Sequence, residues 1–382
     1  MALKQSRRGR IPPFIVMDVM REANRLAASG ADILHLEVGQ PSTGAPSRVI
    51  EAAGRLLRAS PLGYTDALGI PALRARIAAH YAQRHGVTVD PARVAVTVGA
   101  SGAFSLAFLA AFDVGDRVAL AVPGYPAYRH ILTALDLVPV ELPAGPDDRF
   151  QPTIRLLEAA EGRIDGLIVA SPSNPTGTML STQALAELAD YCRGRGIRLI
   201  SDEIYHGITY GGPAATALEA EPDAVVINSF SKYFSMTGWR LGWMIVPPDL
   251  IRPVECLAQN LLISPPSLAQ HAAIEAFDCT EELDANVRRY AQNRALLLDR
   301  LPAAGFTDFA PPDGAFYLYA DVSSMTGDSL EFCRRMLHET GVAATPGLDF
   351  DGERGRRTVR FSFAGATADM AKAAERLCAW RR

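Results

Sequence analysis

The sequence predicts an α/β fold: a mostly parallel sheet between helices, joined to a smaller α+β unit. Three observations predict it. Short β-branched runs alternate with helical patterns through the middle of the chain. Those runs are apolar at successive positions rather than at every second one, which places both faces of the sheet under cover. The chain has 382 residues, more than one core usually spans.

The first segment, "MALKQSRRGRIPPF", is locally basic. No apolar run of signal-peptide length follows it, so it reads as an arm. "FIVMDVMREANRLAASG" reads as a helix and "ILHLEVGQP" as a strand; residues 1–45 are expected to pack with the C-terminal unit. Then the alternation begins. "RVAVTVGA" leads into "SGAFSLAFLAAF", "RVALAVPG" into "YPAYRHILTAL", and "GLIVASPS" into "STQALAELADYCRGRG". "IRLISDE", "AVVINSF" and "LGWMIVP" complete the strand runs. "EELDANVRRYAQNRALLLDRL" reads as a long connecting helix, and "GAFYLYADV", "GVAATPG" and "TVRFSFA" as strands of the smaller unit.

Bulk properties exclude several function classes. A net charge of −4 gives no general attraction to nucleic acid or an anionic membrane. No run is long enough to span a bilayer. Five scattered cysteines (Cys192, Cys256, Cys279, Cys333, Cys378) without a CxxC fit reduced thiols of a cytoplasmic protein, mostly buried, and no zinc site. The seven histidines show no metal-ligand spacing.

Ligands of parallel sheets bind at the carboxyl ends of strands, and here those ends carry chemistry. Gly99-Ala100-Ser101-Gly102 opens a helix, offering backbone N–H groups and a positive dipole end to an anion. Tyr125, Asn174, Asp202 with Tyr205, and Ser229-Phe230-Ser231-Lys232 follow four other strands. Alone, Lys232 reads as a surface-loop lysine. Between a buried strand and an apolar stretch it suits a Schiff-base amine, which loses its charge readily when desolvated beside another cation. Arg240 supplies that cation and a phosphate grip; Gly238 permits the chain reversal between them. An aspartate such as Asp202 keeps a pyridine nitrogen protonated and makes the ring an electron sink. Together these groups describe a site for pyridoxal 5′-phosphate (PLP).

The chain resembles the class I aminotransferases of the fold-type I PLP family over nearly its whole length. "SFSKYFSMTGWRLGW" resembles the family's Ser-x-Ser-Lys…Gly-x-Arg signature, "SPSNPTG" its Asn-Pro-x-Gly loop and "SDEIY" its Asp-x-x-Tyr element. The resemblance implies a large domain over 46–282 with a mostly parallel seven-stranded sheet, and a small domain from 283–382 together with part of 1–45. It implies that Lys232 carries the cofactor and that Asp202 pairs with its ring nitrogen. Asn174 and Tyr205 then hold the ring oxygen, and Tyr125 stacks on the ring. Ser229, Ser231, Arg240 and the backbone of Ala100, Ser101 and Gly102 take the phosphate. Arg360, within the strand "VRFSFA", resembles the clamp for the substrate α-carboxylate, with Gly39 and Asn174 beside it. Tyr64 resembles a tyrosine that reaches the neighbouring subunit's cofactor, which implies a homodimer with shared sites.

The implied reaction is ping-pong transamination between an L-amino acid and a 2-oxo acid such as 2-oxoglutarate. Ser101 stands where some aspartate-preferring members carry a lysine, and Phe14, Ile15, Val16 and Met17 near the mouth are apolar. Both favour apolar, aromatic or broad-range donors. His130 and His206 read as rim or packing residues. The competing readings are a C–S β-lyase on the same residues and an aspartate-preferring aminotransferase. Transcription regulators with an aminotransferase-like effector domain need an N-terminal DNA-binding domain, for which the residues before the first core helix are expected to leave no room.

Overall fold

The strand runs legible in the sequence lie side by side in one sheet because their residues are apolar on both faces. The computed structural model describes residues 3–380; Met1, Ala2, Arg381 and Arg382, at the ends of the N-terminal arm and the C-terminal unit, lie outside the described residues. In chain order the strands are β1 (Leu34–His35), β2 (Val94–Thr97), β3 (Arg117–Val122), β4 (Val138–Pro143), β5 (Gly166–Ala170), β6 (Arg198–Asp202) and β7 (Val225–Ser229). They continue with β8 (Gly242–Ile245), β9 (Asp308–Phe309), β10 (Tyr317–Asp321), β11 (Val342–Ala343), β12 (Thr345–Pro346) and β13 (Thr358–Ser362).

The large sheet has seven strands in the order β2-β8-β7-β6-β5-β3-β4. All its neighbouring pairs are parallel except those of β8, which runs antiparallel to both β2 and β7. The strands β2, β8 and β7, which form one end of the sheet, are buried at every position. β4, at the edge, was not anticipated. It holds Pro139 and Pro143, and an edge strand tolerates proline because one row of its N–H groups needs no partner.

Local chemistry sets the helix limits. Ser181 accepts the N–H of Ala184 at 3.1 Å to start the helix Thr182–Arg195, and Gly196 at φ 68° ends it in the left-handed conformation. The helix Thr280–Arg300 runs as one piece into the second sheet, β12-β13-β10-β9, which is antiparallel throughout. β1 pairs in parallel with β11, Leu34 opposite Val342 and His35 opposite Ala343. The strand expected over "ILHLEVGQP" is only two residues long, and "GVAATPG" divides into two short strands.

Beneath the return from β7 to β8 lies an aromatic cluster. Phe230 and Trp243 have ring centroids 4.9 Å apart, Phe230 and Phe234 5.0 Å, and Phe234 and Phe277 5.1 Å. Packing at these distances fixes the segment that carries Lys232.

Candidate active site

Strand ends from the large sheet and side chains from the second sheet converge on one cavity of about 190 Å³. After β2 come Ala100 and Ser101, after β3 Tyr125, after β5 Asn174, at β6 Asp202 and Tyr205, and after β7 Ser231 and Lys232. Arg240 enters from just before β8, Tyr317 from β10 and Arg360 from β13; Gly39, Phe14, Val16 and Met17 close the remaining side.

Lys232 donates from Nζ to the backbone oxygen of Gly39 at 2.6 Å. Burial, and then the guanidinium groups of Arg360 and Arg240, lower its ammonium to a pKa of about 8, against a smaller opposing pull from Asp202. Asp202 shows the mirror effect. Burial raises its carboxyl to about 6, although it accepts hydrogen bonds from the Tyr128 hydroxyl and, at 3.0 Å, from the N–H of Ile204. Tyr205 and Tyr317 share a hydroxyl–hydroxyl bond of 2.6 Å, and burial keeps both phenols protonated.

Arg360 is 3 % exposed. Nη1 donates to Oδ1 of Asn174 at 2.7 Å, and Nη2 donates to the backbone oxygen of Glu37 and to Oγ1 of Thr345. Its guanidinium lies 4.4 Å from the Tyr317 ring centre and 4.8 Å from that of Phe350. Nε has no hydrogen-bond partner among the described residues. A buried guanidinium N–H without an acceptor is costly; it suits a site that takes up a carboxylate.

Arg240 lies at φ 53°, in the left-handed region that a non-glycine residue seldom adopts, and donates from Nη1 to the Thr237 carbonyl at 2.9 Å. Gly99 faces it at φ 68°. A Cβ there would sit 2.5 Å from Nη2 of Arg240, so only glycine lets the guanidinium reach the helix N-terminus.

Three of the residues that the resemblance assigns to the cofactor are not on the cavity wall. Ser229 stands behind it, donating to the Leu241 carbonyl at 3.0 Å and bonded to Ser231 Oγ at 2.9 Å. Gly102 lies within the helix Gly99–Ala111. Tyr64 is 85 % exposed and does not line its own chain's cavity. Ile15 is also off the wall, and so are His130 and His206. The His206 side chain is 7 % exposed, with Nε2 3.1 Å from the Ser171 carbonyl and Nδ1 3.4 Å from Glu203. The sequence reading missed Tyr128 and Tyr317. Tyr128 follows Tyr125 by three residues on a helix that starts at a strand end, a spacing that could have drawn attention to it. Tyr317 gave no such signal, since a tyrosine in a strand ordinarily packs.

A larger groove, about 900 Å³, is lined by residues such as Gln151, Tyr210, Arg294 and Asp313. Its charged groups are already engaged: Arg149 pairs with Asp313 at 2.6 Å, and Arg294 donates to the Pro312 carbonyl at 2.8 Å. The convergence of an amine, a carboxylate and two guanidinium groups belongs to the smaller cavity. Among the described residues no cluster could hold a metal ion, and no helix is long and apolar enough to cross a membrane. All five cysteines are free; three are buried and Cys378 is exposed.

Comparison with known proteins agrees with this geometry. Residues 31–377 match the family described as aminotransferase class I and II. A valine–pyruvate aminotransferase from Mycobacterium tuberculosis is 52 % identical over 377 residues, 98 % of this chain and 97 % of the relative. The crystal structure of an aminotransferase from the same organism superposes with a TM-score of 0.97 at 51 % identity, covering 99 % of both chains. Aspartate aminotransferase from Thermus thermophilus with maleate superposes at 0.93 with 32 % identity, covering 99 % of this chain and all of that one. The match is continuous through both sheets and the cavity between them: the chain belongs to the class I and II aminotransferase family, whose members are PLP-dependent, and its reaction is transfer of an amino group between an amino acid and a 2-oxo acid.

Proposed function

We propose that the enzyme holds PLP in this cavity and takes the amino group of an apolar L-amino acid, valine among them, for a 2-oxo acid such as pyruvate or 2-oxoglutarate. One observation carries the proposal: a buried amine lowered to about 8 shares a cavity with a buried carboxylate and two arginines. The donor set fits the cofactor. Gly99 leaves room for Arg240 at a helix N-terminus, which is a phosphate cradle. A buried carboxyl raised to about 6 favours a cationic ring nitrogen as its partner. When bound, PLP supplies an electron-accepting ring conjugated to the substrate nitrogen.

The chain's own residues do the rest. Arg360 orients the substrate α-carboxylate. Because Asn174 Oδ1 already accepts from Arg360, its Nδ2 is the end left to donate to a ring oxygen, beside the Tyr205 hydroxyl. Tyr125 provides a ring face for stacking. Arg240, the amides of Ala100 and Ser101 and the Ser231 hydroxyl grip the phosphate; Gly102 supports the helix start, and Ser229 holds Ser231 in place. Lys232 would carry the cofactor, and its free amine, which lies beside the Gly39 carbonyl, would take the proton from the substrate Cα at Nζ. Two half-reactions on one amine give ping-pong kinetics.

The donor side of the cavity is walled by Phe14, Val16, Met17 and Ile131, which offer no partner to a second carboxylate. The resemblance to a valine–pyruvate aminotransferase points the same way. A homodimer is part of the proposal. Tyr64 neighbours an exposed apolar run, Leu261-Leu262-Ile263, through the bond from Thr65 N–H to Ser264 Oγ, and this patch suits a second copy.

The test is to supplement purified protein with PLP, reduce with borohydride and map the labelled peptide. Label at Lys232 supports the proposal; colourless, unlabelled protein sinks it. A donor panel scored by kcat/KM with pyruvate and 2-oxoglutarate then decides the substrate class, and a strong preference for aspartate would overturn the apolar assignment.

A further inference from the structure

Three of the apolar wall residues, Phe14, Val16 and Met17, stand at a single helix start. Phe14 is the N-cap residue of the helix Ile15–Ala28, and Val16 and Met17 lie in its first turn. A helix start leaves backbone N–H groups without acceptors, and Phe14 has no side-chain oxygen to offer. The acceptor comes from the far end of the chain. Asp349, in the turn Gly347–Asp349, accepts the N–H of Ile15 at Oδ1 and that of Val16 at Oδ2, each at 3.0 Å. The residue is 1 % exposed.

The same short segment reaches two other parts of the site. The backbone oxygens of Asp349 and Phe350 accept from Arg129 at 2.6 and 3.3 Å, on the helix Pro126–Ala134 that carries Tyr128 and Ile131. The Phe350 ring lies against Arg360. The Arg129 guanidinium pairs instead with Glu141 at 3.6 Å, leaving the Asp349 carboxylate to the two helix amides.

We propose that Asp349 is a positioning residue for substrate choice: by capping a helix more than three hundred residues away in sequence, it sets where Phe14, Val16 and Met17 stand and so the size of the pocket for the amino-acid side chain. The proposal rests on the apolar-donor reading above.

The test compares holoenzyme carrying Asp349→Ala or Asp349→Asn with wild type on L-valine and L-alanine. A displaced wall touches valine's branched side chain and scarcely affects alanine's methyl group. The expected loss in kcat/KM for valine with Asp349→Ala is about tenfold, mostly in KM, against less than about threefold for alanine. Asp349→Asn, which keeps one acceptor, should fall between. Hydrogen exchange on the cofactor-free proteins gives a second readout: amides of residues 14–28 should exchange faster in Asp349→Ala while those of β5 and β6 keep wild-type rates. Equal losses for both donors, or unchanged exchange at residues 14–28, would overturn the proposal. Wild-type enzyme unable to use any apolar donor would overturn the apolar-donor reading along with it, whereas a wild type active on both donors with donor-independent losses in the variants overturns the cap's role alone.

Discussion

Lys232 and Asp202 are displaced toward neutrality by the same burial, in opposite directions along the pH scale. The folded chain releases the Lys232 proton near pH 8, whereas an unfolded chain keeps it to about 10.5. Stability contributed by this group therefore rises between those pH values, and the amine is nucleophilic at unusually low pH. In cofactor-free protein, acylation of Lys232 should rise with pH to a midpoint near 8; a midpoint above 10 would contradict the geometry. Lys232→Ala should retain cofactor by absorbance yet lose at least about a thousandfold in kcat. Asp202 keeps its proton to about pH 6 when folded and to 3.8 when unfolded, so above pH 6 its ionised form weighs against the fold. Asp202→Asn should leave the Tm of cofactor-free protein at pH 7.5 equal to or above wild type, while kcat/KM falls by at least about a hundredfold. A Tm lowered by several degrees would show that the carboxylate stabilises the fold instead. Individual residues were legible in the sequence where strand ends concentrate polar groups, as with Lys232, Asp202 and Asn174. Tyr317 was not, because its role depends on a hydroxyl contact with Tyr205 that no local pattern encodes.

At the level of elements, the junction of β2 with the helix Gly99–Ala111 is a point where one added methyl group reads out the cofactor site. Gly99→Ala adds a Cβ 2.5 Å from Arg240 Nη2 and forces a side chain into φ 68°. The expected cost is about 1–3 kcal/mol of stability, together with a PLP affinity lowered at least about tenfold, or roughly 1.4 kcal/mol. Thermal unfolding and a spectroscopic PLP titration check the two effects; unaltered affinity would detach Arg240 from the phosphate role. Most strands could be read from continuous apolar runs, since burial on both faces leaves little ambiguity. β4 could not, because Pro139 and Pro143 interrupt its pattern and only its edge position excuses them. Nor did "LGWMIVP" reveal its direction, because an apolar run looks the same in parallel and antiparallel pairing.

For the whole molecule, the mostly parallel large sheet followed from the sequence, and its count of seven strands from the family resemblance. What did not was the contact that seals the cavity, Lys232 against Gly39, which joins residues 193 positions apart. The proposed homodimer predicts a sedimentation mass of twice the 41.1 kDa chain. Ile263→Asp should reduce it to a single chain. Ile263 sits at φ 67°, where aspartate is tolerated at least as well, so dissociation would not reflect backbone damage. Wild-type protein sedimenting as one chain would refute the dimer. The reversed direction of β8 has a further effect. Ser229 and Gly242 lie directly opposite each other, so the chain leaves and re-enters the sheet at the same edge. A parallel successor would have carried the chain to the far side before returning. Lys232 and Arg240, the proposed cofactor amine and phosphate anchor, are thus set on one closed loop, and the span between them is a local measure indifferent to how the two sheets shift. Lengthening that loop by even one residue should disturb cofactor seating more than a longer insertion in the outer connections, and it marks the stretch that redesign for new donors should leave untouched.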